Sequence, residues 1–204
     1  MNANFFSTLH CTLSVLPQML ERRAGIIVNI ASIGGKVAVP HMLPYTASKF
    51  AMTGFSEGLN AELRAKGIRV ITVCPGLMRT GSHLNALFKG DAEREYRWFS
   101  LAASLPGLSV SATSAARKVV RAIVSGKSEI AITPQAQLAN RFVNVAPTMT
   151  ARLMHLVNFI LPSAVHEHTL ARPGYEVRGL ELTSMTSLGC TAARHYNQGP
   201  KASI

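Results

Sequence analysis

The stretch from Gly25 to Cys74 constrains this chain more than any other. Ile26-Ile27-Val28-Asn29-Ile30-Ala31 is an apolar, largely β-branched run opened by Gly25, and it predicts a strand buried on both faces. Ile68-Arg69-Val70-Ile71-Thr72-Val73-Cys74 predicts a second strand. Between them a glycine-containing loop, Ser32 to Pro44, leads into a helix from Pro44 or Tyr45 to about Ala65. Pro44 suits the first helical turn, Ala51, Phe55, Leu59 and Leu63 recur on one face, and Lys66-Gly67 makes a good stop. A strand, a long helix and a strand form a βαβ unit, so the two strands are expected to be parallel with a right-handed crossover.

The flanking sequence extends this pattern. A first helix is expected over 4–21, with Phe5, Leu9, Leu13, Leu16 and Leu20 on its apolar face and Pro17 bending its last turn. Residues 75–110 have no clean period but are rich in Leu, Phe and Trp, which reads as a helical excursion over a pocket. Ser111 to Ser125 predicts a helix with Ala116, Val119, Val120 and Ile123 inward, and Glu129 to Thr133 a third short strand. Helical segments follow at about 135–143 and 148–161. In the polar tail, Leu182, Met185 and Leu188 offer a face for one more short helix. The expected fold class is α/β, a partial doubly wound parallel sheet of about three strands with a helical C-terminal extension. The expected division is 1–133, with the excursion at 77–110, and 134–204.

Composition narrows the functional classes. Of 204 residues, 48% are hydrophobic and 15% charged, which suits a globular chain with a real core rather than a disordered one. The net charge of +11 raises nucleic acid, but Lys and Arg are scattered and no basic stripe interleaves with aromatics. No nucleic-acid partner is expected. Pro147 to Pro162 is apolar within a basic chain and raises contact with a membrane surface, although packing against the domain is the plainer reading. Cys11, Cys74 and Cys190 are far apart and odd in number, so neither a disulfide framework nor a zinc spacing is expected. His166 and His168 flank Glu167 without a further ligand cluster, and no metal site is expected there. The first residues lack the pattern of a signal peptide, and no run reaches the roughly 18 apolar residues of a span, so a cytoplasmic location is expected.

Chemistry enters with Tyr45-Thr46-Ala47-Ser48-Lys49. A phenol and an ammonium at i and i+4 project from one helix face, one turn apart. A free phenol titrates near about 10, too high for efficient proton exchange at neutral pH. A cation held beside it favours the phenolate. Ser32 precedes Tyr45 in the loop directly after a strand, where parallel α/β sheets carry their ligand sites. Its hydroxyl is placed to bond a substrate oxygen while Tyr45 moves the proton. Alone, a Tyr-x-x-x-Lys is a weak signal, since many helices contain one.

The set Asn29-Ile30-Ala31-Ser32, Tyr45-x-x-x-Lys49, and Cys74-Pro75-Gly76 with Thr80 beyond it resembles the second half of the short-chain dehydrogenase/reductase family, closely from Asn4 to Thr133. That resemblance implies a Rossmann-like sheet and an NAD(P)-dependent oxidoreductase interconverting an alcohol and a ketone or aldehyde. It implies that Ser32 polarises the substrate oxygen, Tyr45 is the general acid/base, and Lys49 assists Tyr45 and holds the nicotinamide ribose. A fourth catalytic residue is implied at Asn4, with Asn2 its rival and a helix N-cap the structural alternative for both. Asn29, Tyr45, Lys49, Pro75, Gly76, Met78 (through its backbone) and Thr80 are implied in cofactor binding. Ser32, Val39, Met42 and Tyr45 are implied in substrate contact, with Leu43 and the excursion suggesting an apolar substrate. Homo-oligomerisation is implied through the helices at 4–21 and 45–65.

The family's glycine fingerprint, G-x-x-x-G-x-G, has no match among these residues, and the resemblance implies that the sequence corresponds to the family's second half only. The expected NAD or NADP site is therefore incomplete and its affinity weak. The strand at Ile26–Ala31 is expected to show an apolar edge. An alternative expectation is an N-terminally truncated, non-catalytic remnant acting through dimer-type association.

Overall fold

The computed structural model describes residues 1–162, 170–177 and 186–199. A π-helical turn, Asn2–Phe6, runs into α1 (Ser7–Glu21). β1 (Gly25–Ile30) follows, then a 3-10 turn, Ile33–Gly35, and α2 (Leu43–Leu63), which passes through a second 3-10 turn, Arg64–Lys66, into β2 (Ile68–Cys74). Short elements come next: β3 (Leu77–Arg79), α3 (Ser82–Asn85), β4 (Leu87–Phe88), α4 (Ala92–Ser104) and β5 (Ser109–Ser111). They are followed by α5 (Ala112–Val124), β6 (Glu129–Ala131), α6 (Pro134–Val145) and α7 (Pro147–Ile160). The later described segments hold β7 (Arg172–Pro173), α8 (Gly174–Val177) and α9 (Ser187–His195).

These elements gather into two compact units, Met1–Gly76 with Ala115–His155, and Leu77–Ser114 with Leu156–Ile204. These compact units do not follow the expected division at 133. The chain leaves the first unit after Gly76 and returns at Ala115, so the units interleave in sequence.

The first unit is built on a sheet of order β1-β2-β6, parallel throughout, with Gly25 opposite Ile68 and Ile30 opposite Val73. The βαβ reading of the sequence therefore holds. Gly67, at φ +78°, makes the left-handed turn that ends the second 3-10 segment and starts β2. Ile27, Leu63, Ile68 and Val70 form one core cluster, covered by Leu16, Met19, Leu20 and Leu59. Ala31, Met52 and Cys74 form another, with Phe5 against it.

Several expected burial patterns are corrected here. β1 is not buried on both faces: Ile27 and Asn29 are buried, but Ile26 and Ile30 on the other side are 40% and 45% exposed. β1 is also an edge strand in the described sheet. Leu13 of α1 is exposed, and Thr12 beside it is buried instead. The buried side of α2 runs through Ser48, Met52, Ser56 and Leu63, while Ala51 and Phe55 are only half-buried. Serine at these positions lets the helix approach the sheet closely, which a search for large apolar residues overlooks. On α5 the buried residues are Ala115 and Ala122, whereas Ala116 and Val120 are exposed, so the inward face lies one residue out of phase with the expectation.

The second unit contains more strand than the expected helical excursion. β3 and β5 pair in parallel, and β4 pairs antiparallel with β7. Asp91 accepts the Arg94 backbone N–H at 3.2 Å and so caps α4. Phe88, Ala92, Tyr96 and Val177 make its core cluster, with Phe99 packed on it. Leu188 belongs to α9, while Leu182 and Met185, like His166, Glu167 and His168, lie outside the described residues.

Candidate active site

Ser32 leaves β1 in extended backbone, φ −170° and ψ 161°, and caps the 3-10 turn: its Oγ accepts the Gly34 N–H at 3.0 Å. That bond uses one lone pair and leaves the hydroxyl hydrogen available to a substrate oxygen. The loop is tied down on two sides. The Ile33 N–H donates to the Pro75 carbonyl at 2.8 Å, linking the Ser32 loop to the turn after β2. Gly35 lies against α2, where a Cβ at position 35 would stand 2.6 Å from the Lys49 carbonyl oxygen and would also strike the Thr53 hydroxyl. Gly34 fills the gap between two functional groups: a Cβ there would be 3.2 Å from Tyr45 Cε1 and 3.5 Å from Ser32 Oγ. Ser32 and Tyr45 thus both come up against one glycine.

Tyr45 and Lys49 stand one turn apart near the start of α2, with Lys49 Nζ 5.7 Å from the Tyr45 ring centroid. Lys49 Nζ donates to the Ile30 carbonyl at 3.3 Å, which anchors the helix to the end of β1, and lies 3.8 Å from Met52 Sδ. Burial pushes the Lys49 ammonium below its ordinary value. Cys74 is buried beneath, and burial raises its thiol to about 11, so it is neutral and unreactive near pH 7. Among the described residues the Tyr45 hydroxyl has no hydrogen-bond partner, and Lys49 has ammonium hydrogens to spare.

Asn4 reaches this group through a residue that the sequence reading missed. Its Nδ2 donates to Ser48 Oγ at 3.1 Å, and Ser48 Oγ donates to the Tyr45 carbonyl at 2.6 Å. Asn4 lies in the π-helical turn, a widened form of helix that recurs at functional sites. Ser48 falls inside the Tyr-x-x-x-Lys segment, but its role depends on contact with a helix 44 residues away.

Other assignments fare differently. The Asn29 side chain is turned into the core: it is buried, and its Nδ2 donates to Ser56 Oγ at 3.0 Å. Thr72 Oγ1 donates to the same oxygen at 2.8 Å. Strand alternation directs the residue 29 side chain toward α2, so its amide is engaged within the core. Val39 and Met42 are half-buried in the loop before α2, joined by a bond from the Met42 N–H to the Val39 carbonyl. Pro75 is buried, and Gly76 packs so closely on Thr133 that a Cβ would overlap its hydroxyl. Met78 and Thr80 fall in the second unit, Met78 opposite Val110 in the β3–β5 ladder.

A charged cluster also escaped the sequence reading. Lys36, directly after the 3-10 turn, bridges to Glu57 of α2 and, at 2.8 Å, to Glu129 of β6. Asn140 Nδ2 donates to the other Glu129 oxygen at 2.8 Å. Burial works against the charge on Lys36, but its bonds to Glu129 and Glu57 outweigh that and hold its pKa above the ordinary value. Burial likewise works against Glu129, and the bond from Lys36 outweighs it and holds the carboxyl below its ordinary range. No local spacing could reveal a cluster whose members are 21 and 93 residues apart.

Residues 1–87 match the family model described as short chain dehydrogenase. A dehydrogenase/reductase SDR family protein 7-like from Anopheles gambiae is 33% identical over 150 residues, 73% of this chain and 46% of that protein. A 3-ketodihydrosphingosine reductase from Bacteroides thetaiotaomicron is 46% identical over 81 residues, 40% of this chain and 30% of that protein. Among solved structures, a short chain dehydrogenase from Burkholderia cenocepacia in complex with NADP has a TM-score of 0.56 at 28% identity, covering 74% of this chain and 57% of that one. This chain spans less than half the length of the two curated relatives named. The segment that carries Asn4, Ser32, Tyr45 and Lys49 is therefore similar, in sequence and in fold, to the short chain dehydrogenases.

Proposed function

We propose that this chain carries the proton-transfer site of an NAD(P)-dependent oxidoreductase that interconverts an apolar ketone or aldehyde and its alcohol. The observation that carries the reading is the convergence on Gly34 of the Ser32 hydroxyl and the Tyr45 ring, with Lys49 against that ring. Ser32 donates its free hydroxyl hydrogen to the substrate oxygen. Tyr45 gives a proton to that oxygen in reduction and takes it back in oxidation. The Lys49 ammonium stabilises the phenolate left behind. Asn4, through Ser48, fixes the backbone of Tyr45 and offers its carbonyl oxygen to a relay water. Val39 and Met42 border the substrate.

The donor set fits the nicotinamide end of a dinucleotide. Lys49 has hydrogens left for the ribose hydroxyls, and the Pro75-Gly76 turn is assigned to the carboxamide. The dinucleotide supplies the hydride when bound. NADP in the Burkholderia cenocepacia relative supports this cofactor class, and the name of the Bacteroides thetaiotaomicron reductase supports an apolar carbonyl substrate. The pyrophosphate end has no glycine-rich cradle among these residues.

The test is NADPH- and NADH-dependent reduction of long-chain ketones by the full chain at millimolar cofactor. The reading expects turnover that falls about 100-fold or more in Tyr45→Phe, with circular dichroism unchanged. Absent turnover, or turnover indifferent to Tyr45→Phe and Ser32→Ala, overturns it.

A second reading rests on Leu13 and Val15 of α1 and Phe50 of α2, which are exposed. Here the helices at 4–21 and 45–65 pair with a second copy or a relative, and the chain acts by association without turnover. Sedimentation of Leu13→Glu and Phe50→Glu against the parent chain tests it.

A further inference from the structure

α6 and α7 each leave several large apolar residues exposed, while Val143, Met154 and Val157 are half-buried. A helix on a globular protein normally turns its large apolar residues inward. α6 instead attaches through Ala136, which is buried, and through Gln137 and Asn140, which donate to the Ala131 carbonyl and to Glu129. Several of its large apolar residues face solvent: Leu138 is 70%, Phe142 41% and Val145 84% exposed. In α7 the buried residue is Thr150, whose hydroxyl is spent on the Ala146 carbonyl, while Met149 and Leu153 are 53% and 47% exposed. Positions 138, 142 and 145 of α6 are four and three apart, and 149 and 153 of α7 are four apart, so each helix carries its own exposed apolar stripe. Arg141 and Arg152, both exposed, flank the stripes, and neither forms an ion pair among the described residues. Neither helix contains an Asp or Glu.

From this patterning we infer that the α6 and α7 stripes dock on an anionic lipid surface, the helices lying in the plane of the interface. Large apolar side chains reach the acyl boundary while Arg141 and Arg152 meet lipid phosphates, which requires an apolar layer beneath a negative one. Among the described residues no helix is long and apolar enough to cross a membrane, so the contact is superficial. A second copy is the poorer occupant. Two-fold pairing of these faces would set the arginines of one copy against those of the other, with no carboxylate on either helix to offset them, in a chain already at +11. The inference is independent of the redox reading.

The experiment is flotation of the full chain with vesicles of phosphatidylcholine alone and of phosphatidylcholine with phosphatidylserine. Binding to the anionic vesicles only is expected. Phe142→Glu and Leu153→Glu should each weaken it roughly tenfold. Arg141→Gln and Arg152→Gln should each weaken it roughly fivefold. Because the arginines are exposed, their glutamine variants test the idea even if an apolar-to-Glu variant fails to fold. No vesicle binding, equal binding to both vesicles, or a self-association abolished by Phe142→Glu without vesicle binding would each overturn the inference.

Discussion

Gly35 rests on the Lys49 carbonyl with no room for a methyl group, a Cβ at that position falling 2.6 Å from the oxygen. This contact sets the distance between the Ser32 loop and the helix that carries Tyr45. Gly35→Ala is expected to destabilise the chain by about 1–3 kcal/mol, since the α2 backbone cannot yield as a flexible side chain would. Thermal unfolding by circular dichroism should show a midpoint several degrees lower, and an unchanged midpoint would refute the packing argument.

The buried trio of Asn29, Ser56 and Thr72 predicts a second effect. Ser56→Ala removes the oxygen that accepts from both neighbours, leaving the Asn29 amide and the Thr72 hydroxyl without that partner. The expected loss is about 1–3 kcal/mol. Urea unfolding should show a lower midpoint with an unchanged slope.

Lys36 links the end of the 3-10 turn to α2 and β6, so its removal should loosen the Ser32 loop. The folded pKa of Glu129 lies below the ordinary 4.5, so its stabilisation is fully present above that value and fades as pH falls through the depressed one. Lys36 is raised above 10.5, so its share is present below that value and is lost only in strong alkali. Melting temperatures of Lys36→Met and the parent chain should therefore differ through the neutral range and converge on acidification below pH 4.5. A gap that persists at low pH would show that the charge pairing is not its source.

Cofactor affinity offers the last prediction. In the proposed reading Lys49 and the Pro75-Gly76 turn are assigned to the nicotinamide end of a dinucleotide only, and no glycine-rich phosphate turn exists in these 204 residues. Titration calorimetry with NADH and NADPH should give affinities weaker than roughly micromolar. Micromolar binding of either would mean that another part of the chain holds the pyrophosphate.

Sequence alone determined the βαβ core of this protein, because strand and helix periods are local and β2, α2 and the Pro75-Gly76 turn each carry their own signals. It also singled out Ser32, Tyr45 and Lys49, whose spacing along one strand, loop and helix is itself local. Only the tertiary structure decided which sides are covered: Ile26 and Ile30 lie bare, and Ser48 and Ser56 are buried where larger apolar residues were expected. It alone joined Asn4 to Ser48 and Lys36 to Glu57 and Glu129, and turned the Asn29 side chain away from the surface. The physical reason is the same in each case. A hydrogen bond or ion pair between distant segments leaves no periodic trace, and a helix face is assigned by what it packs against, not by its composition.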